Sequence, residues 1–422
     1  MINLNKLDSV PECPSILNGQ CVVIGSVAAP KLCSLCEKIG PFCGKEVSQA
    51  QLQKFKNFAK PLSLLNNSPL TPPKIHKNTG SITNKQLPQK TSHAKSWLNK
   101  EDSHQNDKNF PQSPEGPSKF AVMSIIIPVL NDQEEANNTV RSIRETTVGH
   151  NIEIIVIDDG SDIPLKLEDA QIKLVRFSTR RGAGEARHYG ALLAQTNRLL
   201  FIDSHMRFTS GWLDNALKNM TGHPYTLWCG TCLGLNKKNM NVSHPLGAYT
   251  GADLVFHDDK RGKVFEGVWT PLKEKEGNYE IPCIMGACYF VHRDWFFYIR
   301  GLETNRMWGH EEPFLSIKTW LAGGEVRLMR DVKIGHQFRE AASYSTAPSK
   351  ILYNKIRYIH LLFPDEMRDN LISKIPDSLA KIQAIAEVQR DMTQILEEKA
   401  YYASIFKYDI EWLIKKFKIR LD

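Results

Sequence analysis

From residue 120 onward the sequence predicts an α/β domain whose mostly parallel sheet is flanked by helices. Three observations predict it: short runs that are apolar at nearly every position, helical segments between them, and charged residues directly after the runs. Strands that alternate with helices pair in parallel through right-handed crossovers. Because such sheets bind ligands beyond the carboxyl ends of their strands, the residues after each run are candidates for a site.

Four runs predict the buried strands of this sheet, in the order MSIIIPVL (123–130), IEIIVIDDGS (152–161), IKLVRF (172–177) and RLLFID (198–203). A helix over about residues 133–147 joins the first two. A second helix, opened by glycines, is predicted in GAGEARHYGALLAQT (182–196), between the last two. The pair Gly182-x-Gly184 lacks the third glycine of a dinucleotide-binding turn and follows the third strand, which excludes a nicotinamide cofactor.

Composition divides the chain into four parts: a Cys-rich segment 1–44, a polar linker 45–119, the α/β domain 120–344 and a helical region 345–422. The linker holds twelve Lys, no Arg and five Asp or Glu, so it carries nearly all of the net charge of +8. Such a polar segment buries too little apolar area to order itself, and we expect most of it to be disordered. With the rest of the chain close to neutral, we expect no nucleic-acid partner, although the linker could touch an acidic surface.

The N-terminal segment contains Cys13, Cys21, Cys33, Cys36 and Cys43. The spacing Cys33-x2-Cys36 is typical of a zinc knuckle, and the other cysteines could complete the site. A loosely structured tail with incidental thiols is the alternative. A second pair of this spacing, in WCGTCLG (228–234), lies inside the α/β domain, where a strand or turn is the expected structure.

Localisation is expected to be cytoplasmic. No stretch approaches the roughly 20 apolar residues that a transmembrane helix needs, and MINLNKLDSV at the N-terminus has no apolar signal region. Nine unevenly spread cysteines fit a reducing compartment better than a set of disulfides.

Acidic and imidazole side chains follow the second and fourth strands. The second strand ends in Asp158 and Asp159, and the fourth in Asp203, Ser204 and His205. In extended chain, residues two apart point the same way, so Asp203 and His205 face one object. A carboxylate with an imidazole suits a borderline divalent ion such as Mn²⁺. The alternative is a helix cap followed by a surface histidine.

Over about 124–344 the sequence resembles the GT-A glycosyltransferases, and within them the polypeptide N-acetylgalactosaminyltransferases. Asp203-Ser204-His205 matches their Asp-x-His metal motif, and MWGHEEPFLSIKTWLAGGEVRLMRDVKIGHQFR (307–339) matches their Trp-Gly acidic loop without a gap. The resemblance implies the GT-A fold, a Rossmann-like, mostly parallel sheet. It also implies His336 as third metal ligand beside Asp203 and His205.

The same resemblance assigns further residues to the nucleotide-sugar donor. Asp158, with Asp159, matches the nucleoside-binding acidic turn, although a turn cap is an alternative for Asp158. Arg339 adds a fixed cation beside the diphosphate, or else forms a surface ion pair. The other implied donor contacts are the loop residues Pro128 and Asn131, Arg180 just before the glycine-opened helix and Arg187 within it, the small residues Gly286 and Ala287, and Tyr344.

The acidic loop departs from the family pattern. Here Trp308-Gly309 is followed by His310-Glu311-Glu312, where the family has Gly-Glu-Asn. The inverting family 2 glycosyltransferases carry a carboxylate as general base at the second acidic position, which Glu312 occupies. We therefore take Trp308, Glu311 and Glu312 as the catalytic candidates, with Glu312 as the base. The alternative is that one acid starts a helix, where acids are favoured, and the stereochemistry stays open.

The predicted function is transfer of a sugar from a nucleotide-sugar, a UDP-sugar such as UDP-N-acetylhexosamine, to a hydroxyl of a peptide or glycan, with Mn²⁺ or another divalent cation. The rivals are a metal-dependent nucleotidyltransferase and a non-catalytic nucleotide- or glycan-binding protein. No segment resembles the lectin domain common in these transferases. The helices of 345–422 have apolar stripes that pack on the catalytic domain or on another copy, as a homo-oligomer. WLIKKFKIR (412–420) could instead lie on a membrane surface.

Overall fold

The structure, a computed structural model, describes residues 16–17, 20–21, 121–236, 247–260, 262–272, 277–339 and 346–421. All of these belong to one of the two compact units of the chain, and the other unit, residues 48–116, lies outside them. The Cys-rich segment therefore contributes only the backbone of two short antiparallel strands, β1 (Ile16–Leu17) and β2 (Gln20–Cys21). The predictions for the zinc site, the linker and Tyr344 lie outside the described residues.

Four parallel strands form one side of an 11-stranded sheet, in the spatial order β6-β3-β4-β5. They are β3 (Ser124–Val129), β4 (Glu153–Asp158), β5 (Lys173–Arg176) and β6 (Arg198–Ile202). The connections contain α1 (Gln133–Thr146) and α2 (Ala183–Leu193), as the sequence predicts. On β3, Ile126 points into one apolar core while Ile125 and Ile127 point into the other, so both faces of the sheet are covered.

The third strand differs from its prediction as a buried strand. β5 lies at the edge of the sheet with a neighbour on one side only, among the described strands. Its side chains are largely exposed, and Leu174 is 39% exposed. The apolar run therefore predicts the strand correctly. The exposure of the strand depends on its edge position in the sheet, which local sequence does not encode.

The other side of the sheet is mostly antiparallel and brings distant segments to the end of β6. Its strands are β7 (Met206–Phe208), β8 (Thr226–Gly234), β9 (Ala248–Asp258), β10 (Lys263–Pro271), β11 (Cys288–His292), β12 (Glu325–His336) and β13 (Arg420–Leu421). β11 pairs antiparallel with β6, whereas β12 runs parallel to β8 and antiparallel to β7. The last pairing sets His336 opposite Met206, next to the end of the fourth predicted strand.

Eight further helices are described. They are α3 (Trp212–Met220), α4 (Arg293–Tyr298), α5 (Glu311–Leu321), α6 (Pro348–Leu362), α7 (Asp365–Lys374), α8 (Leu379–Arg390), α9 (Met392–Ile405) and α10 (Ile410–Phe417). The apolar sides of α6, α8 and α9 share one core with the sheet, through residues such as Tyr353, Val388 and Tyr402. These apolar stripes therefore pack on the α/β domain, which is one of the two arrangements left open by the sequence.

One detail of the helical region differs from its prediction, and one alternative for it is not supported. The helical periodicity of 378–406 predicts a single helix, but the structure has two helices that meet at Asp391. The Asp391 carboxylate accepts a hydrogen bond from the Tyr353 hydroxyl and pairs with Arg306. On α10, Ile410 and Leu413 are buried in the core, so the apolar side that a membrane-surface helix would need is used inside the protein. Among the described helices, none combines the length and the apolarity that a membrane span requires.

Candidate active site

A cleft of about 340 Å³ opens beyond the carboxyl ends of β3, β4 and β6, where the sheet architecture predicts a ligand site. Most of the predicted site residues line it: Pro128, Asp159, Arg180, Arg187, Asp203, His205, Gly286, Ala287, Trp308, Glu311, Glu312, His336 and Arg339. They come from segments spread over more than two hundred residues. The sheet order, and not proximity in sequence, brings them together.

Asp203, His205 and His336 form a cluster in the lining of this cleft. Each offers one ligand atom, and these atoms lie within 4.8 Å of one another. His336 Nε2 lies 3.4 Å from Asp203 Oδ2, and the two imidazole rings have centroids 4.9 Å apart. The backbone bends between β6 and β7, so Asp203 and His205 converge through this bend and not through an extended alternation. The pairing of β12 with β7 then adds His336, and the Gln337 amide donates to the His205 carbonyl at 3.1 Å.

This cluster fits a divalent cation. One carboxylate oxygen and two imidazole nitrogens are a donor set for Mn²⁺ or a similar borderline ion. His336 is buried, and its Nδ1 has no hydrogen-bond partner among the described residues. Burial alone would raise the pKa of Asp203, but the hydrogen bond with His336 and the charge of Arg187 lower it well below its usual range. Asp203 is therefore an anion at neutral pH, as a metal ligand must be.

Arg187 joins the metal cluster to the acidic loop. Its Nη2 donates to Asp203 Oδ1 at 2.6 Å and its Nη1 donates to Glu311 Oε2 at 2.8 Å. The guanidinium is buried, and its pKa stays above the ordinary value because the nearby tyrosine and carboxylates outweigh the desolvation by burial. A single buried cation thus separates carboxylates that would otherwise repel each other.

Glu311 and Glu312 begin α5 and reach the same cleft. Burial raises the pKa of Glu311 to about 7, although the Arg187 guanidinium lowers it. Burial likewise raises the pKa of Glu312. Gly286 makes room for this arrangement, because a Cβ there would overlap the Glu312 carboxylate. Two acids whose pKa values are displaced toward neutrality are candidates for proton transfer.

The loop before α5 is held in an unusual backbone conformation. Met307, Gly309 and His310 all have positive φ values, and His310, which replaces the family's second glycine, has a φ of 62°. Asn354 of α6 receives the Arg306 amide at 3.0 Å and donates to the Arg306 carbonyl at 2.7 Å. The Asn354 amide also donates to the Gly309 carbonyl at 3.2 Å. Helix α6 thereby holds the loop that carries Trp308 into the cleft.

On its other side the same loop rests against the start of α2. The Met307 amide donates to the Arg181 carbonyl at 3.0 Å. Gly182 has a φ of 98°, and a Cβ there would collide with the Met307 backbone, so this contact requires glycine. The glycines that open α2 serve the approach of the acidic loop and not a dinucleotide.

Two predicted donor contacts do not line the cleft. Asp158 is buried, and its carboxylate accepts from the Ser161 amide at 2.8 Å, the contact of a turn cap, and forms an ion pair with Arg176 at 2.5 Å. Asn131 braces the neighbouring loop by accepting the Asp162 amide at 2.8 Å. Asp159, next to Asp158, does line the cleft and accepts the amides of Arg181 and Gly182.

Among the cleft residues to which the sequence assigns no role, three make notable side-chain contacts. Asp132 directly follows Asn131 in the loop after β3, yet no motif assigns it a role. Its carboxylate accepts from Ser204 Oγ at 2.6 Å and from Arg339 Nη2 at 2.9 Å. Burial alone would raise the pKa of Asp132, but its contacts with His205, Ser204 and Arg339 lower the pKa to about 2. The other two, Trp269 and Phe338, form an aromatic wall with ring centroids 5.6 Å apart, and Trp269, on β10, carries no motif.

Cysteines of the described sheet are core residues. Cys229 and Cys232, the pair with zinc-knuckle spacing, are buried thiols in β8, as the strand interpretation predicts. Burial raises the pKa of both thiols, to about 12 for Cys229. Cys283 and Cys288 are also buried and free. None of these four belongs to the one cluster of potential metal ligands among the described residues.

Comparison with known proteins identifies the class of this domain. Residues 124–298 match the family described as Glycosyl transferase family 2, and this segment is therefore a glycosyl transferase family 2 domain. The chain is 26% identical over 318 residues to polypeptide N-acetylgalactosaminyltransferase 8 of Drosophila melanogaster, covering 67% of this chain and 50% of the relative. It is 24% identical over 324 residues to polypeptide N-acetylgalactosaminyltransferase 10 of Homo sapiens, covering 70% and 50%. The chain thus spans about half the length of these relatives, and both resemblances seen in the motifs are confirmed.

A solved structure confirms the fold class. The crystal structure of GalNAc-T7 with UDP, GalNAc and Mn²⁺ superposes with a TM-score of 0.57 at 21% sequence identity, over 70% of this chain and 57% of that one. At this identity the likeness establishes the fold alone. The α/β architecture described above is therefore the GT-A fold that the sequence predicts.

Proposed function

We propose that the chain is a metal-dependent glycosyltransferase that moves a sugar from a UDP-linked donor, such as UDP-N-acetylhexosamine, to a hydroxyl of a peptide or glycan. The observation that carries this proposal is the convergence of Asp203, His205 and His336 in one cleft with two buried acids. The glycosyl transferase family 2 match supports it, as do the names of the relatives. The neighbour crystallised with UDP, GalNAc and Mn²⁺ supports the choice of donor and ion.

Asp203, His205 and His336 are the residues that would hold the cation. When bound, such an ion neutralises the charge that develops on a departing diphosphate. Arg339, which lines the cleft beside the cluster, presents a fixed positive charge for the same oxygens. Arg180 lines the cleft near the start of α2 and offers a second charge to the donor. These side chains bind and orient the donor before the bond to its sugar breaks.

Glu312 is the proposed base of an inverting transfer. The acceptor hydroxyl oxygen forms a bond to the anomeric carbon, the bond from that carbon to the diphosphate oxygen breaks, and the hydroxyl proton passes to Glu312. Burial raises the pKa of Glu312 toward neutral pH. A base whose pKa lies near the working pH accepts a proton efficiently and releases it again. Trp308, which is 43% exposed at the cleft, offers an aromatic face to a sugar.

Asp203→Ala removes the carboxylate of the proposed metal cluster and should abolish Mn²⁺-stimulated release of UDP from the correct donor. The measurement is release of free nucleotide from a panel of nucleotide-sugars, with and without Mn²⁺. Asp253→Ala, outside the cleft, is the control and should keep wild-type turnover. Unchanged turnover in Asp203→Ala would refute the assignment, and nucleotide binding without turnover of any donor would favour a binding protein.

Glu312→Gln keeps the shape of the side chain but removes its basicity. We expect kcat to fall about 10²- to 10⁴-fold, the usual contribution of a general base, while donor KM changes little. Steady-state kinetics test this, and proton NMR of the product shows whether the anomeric configuration is inverted. Retained configuration with wild-type kcat in Glu312→Gln would remove Glu312 as the base.

Location and assembly remain part of the proposal. We propose a cytoplasmic enzyme, which the four free buried thiols of the described residues support. Association of two copies through the C-terminal helices is a further proposal, tested by light scattering on the purified chain.

A further inference from the structure

Asp132 holds a position between the metal cluster and Arg339 that its place in the sequence does not explain. It directly precedes α1, where an aspartate usually caps the helix, yet its side chain makes no capping hydrogen bond. Instead Ser204 Oγ donates to Asp132 Oδ2 at 2.6 Å, and Arg339 Nη2 donates to both carboxylate oxygens, at 3.0 and 2.9 Å. The side chain is only 14% exposed. The Asp132 carboxylate therefore makes its hydrogen bonds with residues of the cleft and not with the first turn of α1.

His205 is the third neighbour of this carboxylate. His205 Nδ1 lies 3.5 Å from Asp132 Oδ2 and 3.3 Å from Ser204 Oγ. With Nδ1 facing these two oxygens, Nε2 is the nitrogen left to face a cation. A carboxylate behind a metal-binding imidazole fixes the tautomer and the ring orientation, and raises the basicity of the ligand.

Arg339 is held by the same group. Its guanidinium is tied to Asp132 through Nη2 and to Gln337 Oε1 through Nε at 3.3 Å. A guanidinium anchored at two points keeps one orientation, which is what a fixed cation beside a diphosphate requires. Asp132 thus touches one predicted metal ligand and one predicted diphosphate contact at once.

We propose that Asp132 is a positioning residue that orients His205 toward the cation and Arg339 toward the donor diphosphate. This inference rests on the proposed function, because it assigns Asp132 a task in the same site. It goes beyond that function by naming a residue from the loop after β3 as the support of two groups that follow β6 and β12. Asp132 itself does not touch the reacting atoms.

Asp132→Asn tests the proposal because it keeps the size of the side chain and removes its charge. We expect the dissociation constant for Mn²⁺ to rise about 10- to 100-fold, the usual cost of losing such a support. Electron paramagnetic resonance of free Mn²⁺ measures this without donor or turnover. In kinetics, kcat/KM for the donor should fall and should recover in part at high Mn²⁺. The unfolding midpoint should stay close to that of the wild type.

Glu135→Gln is the matched control. Glu135 lies in the first turn of α1, binds Arg207 at 2.9 Å and is 16% exposed, so it resembles Asp132 in burial and pairing but does not line the cleft. This variant should bind Mn²⁺ as the wild type does. An equal loss of Mn²⁺ affinity in both variants would mean that Asp132 acts through general stability, and the proposal would be overturned.

Failure of this inference differs from failure of the proposed function. If the wild type binds Mn²⁺ and releases UDP while Asp132→Asn does both equally well, Asp132 has no positioning role and the function stands. If the wild type neither binds Mn²⁺ nor turns over any donor, the function itself fails. Should Asp132→Asn unfold, Asp132→Glu keeps the charge: recovered Mn²⁺ affinity in that folded variant supports the proposal, and affinity as low as that of a cluster mutant overturns it.

Discussion

Arg187 shows how much of the candidate site depends on one buried side chain. Its guanidinium is 4% exposed and bridges Asp203, a predicted metal ligand, to Glu311 of the acidic loop. A lysine in its place keeps the charge but reaches one carboxylate at a time, because an ammonium lacks the planar fork of a guanidinium. The bridge therefore depends on arginine geometry as well as on charge.

Arg187→Lys should lower the free energy of unfolding by about 1–3 kcal/mol, the usual cost of a buried polar group that loses its partner. Urea unfolding followed by circular dichroism measures this. Arg181→Lys is the control, because Arg181 forms an exposed pair with Glu185 on the same helix and should change stability by less than about 1 kcal/mol. Equal free energies of unfolding for the two variants would show that the Arg187 bridge does not stabilise the fold.

For single residues, the sequence predicted the candidate metal ligands better than the hydrogen bonds and ion pairs of the site. Asp203, His205 and His336 were found because the motifs name them, and the structure brings them together. Asp132 was missed because its partners Ser204 and Arg339 lie 72 and 207 residues away, and no local pattern reports such contacts. Asp158 matches the nucleoside-binding motif, yet its carboxylate accepts hydrogen bonds from the amides of Ser161 and Leu165, which follow it in the chain.

Among the elements, α6 has the clearest link to the site. Asn354 binds the backbone of the acidic loop at Arg306 and Gly309, and Asn305 of that loop donates to the Tyr358 hydroxyl at 2.7 Å. Phe314 of α5 stacks on Tyr358 with ring centroids 3.7 Å apart. A helix outside the matched family segment 124–298 thus helps to set the position of Glu311 and Glu312, the two acids proposed for catalysis.

Asn354→Ala should reduce kcat about 10- to 100-fold, because the loop loses three hydrogen bonds and small displacements of reacting groups are costly. UDP release at saturating donor is the measurement. Asn370→Ala, at an exposed position of α7, is the matched control and should keep wild-type kcat. If both variants turned over equally fast, α6 would only stabilise the fold.

Elements were predicted well where periodicity is strong. The four parallel strands and the two helices between them were found at nearly their observed bounds. The break at Asp391 and the exposure of β5 were missed, since the first depends on a tertiary contact with Arg306 and Tyr353 and the second on sheet order. Neither cause is visible in a window of local sequence.

For the molecule as a whole, buried charged side chains connect α5, which packs against the sheet, to the C-terminal helices α6 and α9. Lys318 of α5 donates to the Gly301 carbonyl at 2.5 Å and to the Tyr402 hydroxyl of α9 at 3.3 Å. Arg357 of α6 pairs with Glu398 of α9 at 2.5 Å. Burial lowers the pKa of Lys318 to about 7, although Glu398 opposes the shift.

This shift predicts that stability rises with pH. The unfolded chain keeps the Lys318 proton up to about pH 10.4 whereas the folded protein releases it near 7, so between these values the unfolded state binds more protons. The free energy of unfolding should then gain up to about 1.4 kcal/mol per pH unit from this residue. Urea unfolding at pH 7, 8 and 9 should show a steeper rise for the wild type than for Lys318→Met. Lys350→Met, in a partly exposed pair with Glu387, should keep the wild-type slope, and equal slopes for all three proteins would contradict the assignment.

Trp308 gives the whole molecule an optical signal at its cleft. It is 43% exposed, whereas Trp212, Trp228 and Trp320 are at most 2% exposed. Acrylamide should therefore quench the fluorescence of Trp308 far more than that of these three. A molecule seated in the cleft shields the indole from the quencher, so a titration read by fluorescence would report occupancy without any turnover.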